Sequence, residues 1–307
     1  MNQPDLSVEI AGITLKNPVM SASGCYGYGK EYAAFYDNEQ LGALVVKGTT
    51  LEPREGNSPP RIVETAAGIL NSVGLQNPGV DFFIKEEAPR FTGSGIPLIV
   101  NIAGNLEEDY FRLAGILDPV EEVSGLEVNI SCPNVKKGGM AFGTDVDCAY
   151  RLVKGVRSVT SKPLIVKLSP NVTDIVGTAL AVQEAGADAL SLINTLLGMA
   201  IDIHSRKPVL GNVMGGLSGP AVKPVALRMV WQVSEKVDIP VVGMGGIMSA
   251  EDALEFILAG ATAVAVGTAN FTNPLAIPEI IKGITGYMEE NNISQLKELI
   301  GAARKGV

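Results

Sequence analysis

The sequence has few of the residues that bind metals. It contains three cysteines, Cys25, Cys132 and Cys148, and a single histidine, His204. No two cysteines form a CxxC pair, whereas structural zinc and iron–sulfur sites need clustered ligands. The sequence therefore predicts no metal or iron–sulfur site made by this chain alone. An odd number of cysteines without a secretion signal is typical of a reducing compartment.

Long apolar runs and an excess of positive charge are missing as well. The apolar runs are shorter than the roughly 18 to 20 residues that cross a bilayer. The start, MNQPDLSVEI, lacks the basic-then-apolar pattern of a signal peptide. The formal net charge is −9, from 24 basic and 33 acidic residues, whereas nucleic-acid binders need a local surplus of positive charge. We therefore expect a cytoplasmic protein that binds neither membranes nor nucleic acids.

Core-forming residues and glycine are abundant. Hydrophobic residues make up 46% and charged residues 19% of the 307 residues, and there are 35 glycines. This composition is typical of a globular protein with a well-filled core. Because the length suits one (β/α) barrel, we expect residues 1–307 to form a single domain.

Eight short apolar runs recur along the chain with polar or glycine-rich ends. Near-continuous Val, Ile and Leu runs are typical of parallel strands, which are buried on both faces. Helix-like stretches separate most of them, such as SAEDALEFILAGA, where Ser249 and Asp252 resemble a capping box. The runs are PVMSAS (18–23), ALVVKGT (43–49), PLIVNIAG (97–104), LEVNISCP (126–133), PLIVKLSP (163–170), ALSLINT (189–195), PVVGMGG (240–246) and AVAVGTA (263–269).

This alternation predicts an α/β protein with a (β/α)8 TIM barrel. The leading VEIAGITLKNP predicts a short N-terminal β-hairpin on the barrel floor. A doubly wound sheet would also alternate strands and helices, but it would usually carry GxGxxG after its first strand. No such motif follows PVMSAS, so the pattern favours the barrel.

Barrel active sites form at the carboxyl ends of the strands. Alone, Ser23 is more readily interpreted as a turn or capping residue. Two lysines on buried strands, Lys47 and Lys167, would repel each other without an anionic partner. As a set, the polar residues at this edge therefore indicate a ligand site. They are Ser23, Lys47, Asn101, Asn129, Cys132, Lys167, Asn194, Thr195 and Thr268.

Two glycine steps, MGGI (244–247) and VGTA (266–269), follow the last two predicted strands. Glycines there let backbone N–H groups approach a phosphate, although glycine also simply ends strands. The lysines suit either a Schiff base or the charge of a cofactor, and amides suit the edge of a flavin ring. These residues alone do not distinguish FMN from a sugar phosphate. For the cysteine after the fourth strand, a nucleophile, a base, a redox thiol and a structural thiol stay open.

Three longer motifs resemble the dihydroorotate dehydrogenase family. They are NSVGLQNPG (71–79), NISCPN (129–134) and GGLSGPAVKPVALR (215–228), and the resemblance runs from about residue 5 to about residue 285. The cysteine in NISCPN resembles class 1 of the family, since the membrane-associated class 2 uses serine as its base. KKGGMAFGTD (136–145) and RKPVLGNVMGGLSGPA (206–221) resemble the NAD-dependent 1B type more than the fumarate-dependent 1A type.

The resemblance implies an FMN site and an orotate site. Gly48 departs mildly from the family, in which alanine often follows the lysine. The implied FMN contacts are Ser23, Lys47, Gly48, Asn101, Asn129, Lys167, Ile193, Gly219, Gly245, Gly246, Gly267 and Thr268. The implied orotate contacts are Lys47, Asn71, Ser72, Val73, Gly74, Leu75, Asn129, Asn134, Asn194 and Thr195.

The resemblance also implies that Cys132 is the catalytic base. It would take a proton from C5 of dihydroorotate while a hydride leaves C6 for the flavin. A thiol with an ordinary pKa of about 8.5 can act as a base when partly ionised. Burial would raise this pKa and neighbouring lysines would lower it, so the sequence does not set its value.

Asparagine more commonly caps turns, but amides also match the urea-like ring edge of orotate. Cys25 and Cys148 are interpreted as structural.

A partner subunit is implied by the 1B-type resemblance. The chain has neither a dinucleotide-binding fingerprint nor clustered cysteines, so it is not expected to use NAD alone. The resemblance implies a second subunit with FAD and a [2Fe–2S] cluster, and a homodimer core within a heterotetramer. Rival hypotheses are a fumarate-dependent 1A enzyme, a tRNA dihydrouridine synthase, a flavin-free isomerase or aldolase barrel, and a non-catalytic scaffold.

Overall fold

The computed structural model describes residues 3–131 and 142–304. These residues form sixteen strands. In chain order they are β1 (Val8–Ile10), β2 (Ile13–Leu15), β3 (Val19–Ser21), β4 (Leu44–Thr49), β5 (Ile62–Thr65), β6 (Gly68–Asn71), β7 (Leu98–Ile102), β8 (Val123–Asn129), β9 (Leu164–Lys167), β10 (Ala189–Leu192), β11 (Leu196–Met199), β12 (Ile201–Asp202), β13 (Lys207–Pro208), β14 (Met214–Ser218), β15 (Val241–Met244) and β16 (Ala263–Val266).

The same residues form eight α-helices, most of them between barrel strands. Their apolar positions recur every three or four residues and face the sheet, as in α3, which buries Ala149, Leu152, Val153 and Val156. None of the described helices is long and apolar enough to span a membrane. The helices are α1 (Val80–Phe82), α2 (Glu107–Leu117), α3 (Val146–Arg157), α4 (Ile175–Glu184), α5 (Lys223–Ser234), α6 (Ala250–Ala259), α7 (Ala269–Thr272) and α8 (Ala276–Glu290).

Eight parallel strands form the barrel, in the order β3, β16, β15, β10, β9, β8, β7, β4. These are the eight predicted runs, so the (β/α)8 prediction is confirmed. The predicted capping box is present as well, since Ser249 and Asp252 cap α6 reciprocally. Strands such as β9 (LIVK) are buried along their whole length, as parallel strands covered by helices on one side and the barrel interior on the other must be.

The barrel closes between β3 and β4 through a serine side chain. A single backbone bridge, Met20 to Ala43, joins these strands. The Ser21 hydroxyl adds two bonds, since it accepts from Val45 N at 2.9 Å and donates to Val45 O at 3.2 Å. The buried Ser21 side chain thus adds to the backbone bonds at this junction, which run from Ser21 N to Ala43 O and from Gly42 N to Val19 O.

The predicted N-terminal hairpin is confirmed as the antiparallel pair β1 and β2. The Ile13 side chain reaches Gly125 near the start of β8, where an added Cβ would lie 3.0 Å from Ile13 Cδ1. The hairpin therefore packs at the amino end of the strands, opposite to the end that carries the predicted site.

A second sheet, here called the added sheet, was not predicted. It contains four strands in the order β11, β14, β6, β5, and all of its pairings are antiparallel. β6 ends at Asn71, and β14 ends at Ser218, next to the predicted contact Gly219. The added sheet thus extends from the same end of the barrel as the predicted site residues.

Candidate active site

The polar residues predicted at the strand ends come together at one mouth of the barrel. Lys167 ends β9, and its ammonium donates to Ser23 Oγ, 3.1 Å away, in the loop after β3 on the other side of the barrel. Asn101 and Asn129 lie on the neighbouring strands β7 and β8. The carboxyl ends of these strands therefore surround one space, as in other barrels.

A cavity opens at this mouth and contains about 560 Å³ of empty space, part of it open to solvent. Ten of the predicted contacts line it. They are Ser23, Lys167, Ile193, Asn194, Thr195, Gly219, Gly245, Gly246, Gly267 and Thr268.

The glycine steps at the cavity have backbone conformations that other residues rarely adopt. The φ angles are +96° at Gly219, +124° at Gly245 and +79° at Gly246. A Cβ on Gly246 would lie 2.8 Å from Lys223 Cβ, 2.9 Å from Lys223 N and 2.9 Å from Gly219 O. Only glycine lets this turn approach the first residue of α5 so closely. One part of the cavity wall is thus glycine backbone beside the N-terminus of a twelve-residue helix, an arrangement that suits a phosphate.

Thr268 is oriented by a residue that was not predicted. Its hydroxyl donates to Ser218 Oγ at 2.9 Å. Ser218 is the last residue of β14 and also lines the cavity. The added sheet therefore contributes a polar group to the same wall as the glycine steps.

The predicted amides on β8 and after β10 are hydrogen-bonded to each other. Asn194 Nδ2 donates to Asn129 Oδ1 at 3.3 Å, and the same oxygen accepts from Ser131 N at 3.2 Å. Tyr110 OH donates to the backbone oxygen of Asn129 at 2.8 Å. Because Asn129 Oδ1 already faces protein donors, the Nδ2 group is the half of this amide that suits a ligand.

The predicted substrate loop, residues 71–75, reaches the mouth from the added sheet. Asn71 Nδ2 donates to Gly216 O at 3.4 Å. A Cβ on Gly48 would lie 3.1 Å from Leu75 Cδ2 and 3.2 Å from Asn101 Oδ1. The loop therefore meets the ends of β4 and β7. A methyl group at position 48 would be tightly packed, and the Leu75 and Asn101 side chains would have to shift by a few tenths of an ångström to admit it.

An acid inside the barrel was missed. Glu127 is 3% exposed and accepts from Asn101 Nδ2 at 2.6 Å and from Ser191 Oγ at 2.7 Å. Its Oε2 lies 4.0 Å from the Lys167 ammonium. Strand alternation could have revealed it, since Glu127 stands two residues before Asn129 and shares its face of β8. The anionic partner that buried lysines need is thus supplied to Lys167 by the protein itself.

Lys47 has a different environment, since it is half-buried at the mouth. Burial lowers the pKa of its ammonium below the usual range, although nearby Glu31 partly offsets this, and Arg61 lowers it further. Among residues 3–131 and 142–304, none of the ion pairs involves Lys47. Its charge is therefore placed for an anion that the described residues do not supply.

Cys25 lies in the cavity wall rather than in the general core. An added Cβ on Gly267 would lie 3.3 Å from its Sγ. Burial raises the pKa of the Cys25 thiol to about 11, and the charge of Lys167 only partly offsets this. The shift favours the neutral form of the thiol at neutral pH.

Two predicted residues, Cys132 and Asn134, lie outside the described residues. The positions on either side of this part of the chain are joined, since Gly143 N donates to Ile130 O at 2.8 Å. Ser131 Oγ donates to Lys167 O at 3.2 Å. The described residues that flank Cys132 are thus anchored at the mouth, and the role of Cys132 stays a prediction.

The described residues fit a phosphate-bearing ring with hydrogen-bond donors. The oxygen Asn101 Oδ1 is buried and has no hydrogen-bond partner among them, and a buried carbonyl without a donor is costly. Glycine backbone, two lysines and amides complete the set. No group of three or more His, Cys, Asp or Glu among the described residues could hold a metal ion.

Comparison with known proteins gives consistent results. A family model described as "Dihydroorotate dehydrogenase" matches residues 5–288. The chain is 62% identical over 302 residues to "Dihydroorotate dehydrogenase B (NAD(+)), catalytic subunit" of Geotalea uraniireducens (strain Rf4), covering 98% of this chain and 99% of the relative. Proteins of the same name from Desulforamulus reducens and Geobacter sulfurreducens are 62% and 59% identical. They cover 97% and 98% of this chain, and 98% and 99% of their own lengths.

Proposed function

The chain belongs to the dihydroorotate dehydrogenase family, and we propose that it is the FMN-containing catalytic subunit of the NAD-dependent type. It oxidises dihydroorotate to orotate in pyrimidine biosynthesis. The relatives that match nearly its whole length carry the name of that subunit. We also propose that residues 1–307 form a single domain and that the protein is located in the cytoplasm.

One observation carries this proposal: two kinds of ligand environment share the mouth of the barrel. Glycine steps and Lys167 line one part of the cavity. Amides and the 71–75 loop form the other part. Asn194 connects the two parts, because it lines the cavity and donates to Asn129. A phosphate-bearing ring and a small planar acid can therefore be held side by side.

The first environment suits FMN. The glycine turns at residues 219, 245–246 and 267, with Thr268, would hold its phosphate. Lys167 and the amides of Asn101 and Asn129 would hold the edge of its ring system. Bound FMN supplies the acceptor for the hydride that leaves C6 of dihydroorotate.

The second environment suits the substrate. Lys47 pairs with the orotate carboxylate, since its ammonium has no ion pair with the described residues. Asn71, Asn129 and Asn194 bond to the ring edge, together with Thr195 and the loop Asn71–Leu75. Asn134 belongs to the same ring of amides. The Cys132 thiolate takes the proton from C5, which leaves Cys132 as the neutral thiol and completes the carbon–carbon double bond.

Electrons leave the chain through a partner. The relatives are named as catalytic subunits of an NAD(+) enzyme, and this sequence has no dinucleotide fingerprint or clustered cysteines of its own. We assign FAD and a [2Fe–2S] cluster to a second subunit that docks beside the FMN site.

The catalytic chain forms the homodimer core of a heterotetramer. Large apolar side chains on and near the added sheet support self-association, because exposed apolar patches mark interaction surfaces. Ile203 is 78% exposed, Leu197 60% and Ile201 59%.

The test uses the purified chain reconstituted with FMN. We expect flavin absorption bands that bleach anaerobically with dihydroorotate, and dye reduction without NAD reduction until the partner is added. Light scattering should give twice the 32.1 kDa of one chain. A colourless protein after reconstitution would contradict the proposal and support a flavin-free barrel. Fast fumarate reduction by the chain alone would identify a 1A-type enzyme. Reoxidation of the reduced flavin by tRNA, with uridine reduced to dihydrouridine, would identify a dihydrouridine synthase.

A further inference from the structure

The interior of the barrel, below the mouth, contains a carboxylate that the reaction does not use. Glu127 takes no part in the proposed contacts with substrate. It is 3% exposed, and its two oxygens accept from the side chains of Ser191 and Asn101. Glu127 and Asn101 are register partners on β8 and β7, and Ser191 and Lys167 are register partners on β10 and β9. Four polar side chains from four neighbouring strands thus form one polar cluster inside the barrel.

The two charged members of this cluster, Lys167 and Glu127, lie close together without a hydrogen bond between them. Lys167 lies 4.0 Å from Glu127 Oε2 and donates instead to Ser23 at 3.1 Å. An isolated buried charge is strongly unfavourable, so each of the two ions stabilises the other. The ammonium of Lys167 therefore faces the cavity with its charge partly offset from below.

The same carboxylate determines which way the Asn101 amide points. Because a carboxylate accepts hydrogen bonds, the amide must turn its Nδ2 group to Glu127. Asn101 Oδ1 then faces the other way, where it is buried and has no partner among the described residues. This oxygen lies 3.2 Å from the place of a Cβ on Gly48, at the end of β4. Asn101 does not itself line the cavity, but its Oδ1 lacks a donor, which an N–H group of a ligand bound at the mouth would supply.

We propose that Glu127 is a positioning residue that sets the redox potential of the bound flavin. It turns the Asn101 carbonyl toward the cofactor, and its negative charge limits the positive field that Lys167 applies to the ring. This inference rests on the proposed FMN site. Removing the negative charge at position 127 should favour the more negative, reduced cofactor.

The variant Glu127→Gln keeps the size of the side chain and an oxygen that can accept from Asn101, but it removes the charge. We expect the ratio of reduced to oxidised FMN at a given potential to rise about tenfold. For a two-electron couple this is an upward shift of about 30 mV in midpoint potential. Glu127→Asp retains the charge and should keep a potential much closer to that of the wild type.

The midpoint potential is measured by equilibration with indicator dyes, and FMN affinity by fluorescence titration. The matched control is Glu87→Gln, which removes a carboxylate that is also buried but pairs with Lys30 and Arg90 outside the cavity wall. Its potential should equal that of the wild type. A Glu127→Gln protein that binds FMN with an unchanged potential would overturn the inference while leaving the proposed function intact. A wild-type chain that binds no FMN would overturn both.

A double-mutant cycle provides the second measurement, in case Glu127→Gln alone does not fold. Replacing both members of a buried ion pair leaves no uncompensated charge. Lys167→Gln should lower the potential, and Lys167→Gln combined with Glu127→Gln should return it toward the wild-type value. Equal potentials in these two variants would contradict a role for the Glu127 charge.

Discussion

Replacing Gly246 by alanine tests the glycine step that we assign to phosphate binding. Two separate costs arise at this position. The φ of +79° is unfavourable for a residue with a Cβ, by about 1–2 kcal/mol. The new methyl group would also lie 2.9 Å from the backbone atoms Gly219 O and Lys223 N, and such overpacking typically costs about 1–3 kcal/mol.

The sum, about 2–5 kcal/mol, divides between folding and FMN binding, because the turn either keeps its shape under strain or moves away from the phosphate. The free energy of unfolding of the FMN-bound protein includes both the loss in folding stability and the loss in FMN binding. If the turn moves, the whole sum appears as weaker binding, between roughly 30-fold and several thousand-fold. The assays are denaturant unfolding of the apoprotein and fluorescence titration with FMN.

Two glycines serve as matched controls. Gly93 has a φ of +73° but open space around its Cβ position. Gly93→Ala should therefore lose folding stability only through the unfavourable φ, and its FMN affinity should be unchanged. Gly286 lies inside α8 with open space, so Gly286→Ala should stabilise the protein by about 0.5–1 kcal/mol. If Gly246→Ala matched Gly93→Ala in both assays, close packing at Gly246 would have no role in the cofactor site.

Two further predictions concern the substrate. Cys132→Ala should keep FMN and orotate binding but slow flavin reduction by dihydroorotate by a factor of about 10² to 10⁴, measured by stopped flow. Cys132→Ser should retain some activity at higher pH, and the control Cys148→Ala should react like the wild type. An unchanged rate in Cys132→Ala would mean that another group is the base. Lys47 binds the orotate carboxylate only when charged, and burial lowers its pKa from 10.5, so orotate affinity should be level at neutral pH and fall with rising pH from below pH 10.5. Lys47→Gln should weaken orotate binding at pH 7 by about 1.5–3 kcal/mol, roughly 10- to 150-fold, and orotate affinity should then no longer fall with rising pH. If the affinity of Lys47→Gln still falls with rising pH, another group causes the pH dependence.

The barrel itself could be predicted because its signal is local. Each strand is a short run of apolar residues buried on both faces, and β9, with the sequence LIVK, shows this for all four residues. The mouth follows from that prediction, since parallel strands place their carboxyl ends at one edge. The contacts assigned to FMN and orotate came from the family motifs and stay predictions.

The added sheet could not be predicted because its signal is not local. β14 has the sequence MGGLS, without the alternation or the branched residues that indicate a strand. It forms because β6 and β11 lie on both sides of it. Neither neighbour can be inferred from the residues around position 216.

Glu127 shows a different limit. Its position on the inner face of β8 was available from strand alternation, but its partners were not. Asn101 and Ser191 belong to other strands, 26 and 64 residues away. A charge pattern along the chain does not reveal which strands meet inside a closed barrel.

The strands of the added sheet are synthesised at widely separated times. Asn71 and the carbonyl of Gly216 that it contacts are 145 positions apart. At roughly 5–20 residues per second of translation, β6 leaves the ribosome on the order of ten seconds before β14 exists. The loop Asn71–Leu75 is therefore synthesised early, yet its scaffold is complete only after most barrel strands have been made. A nascent chain that stops before Met214 contains every residue of this loop and lacks the strand that holds it in place.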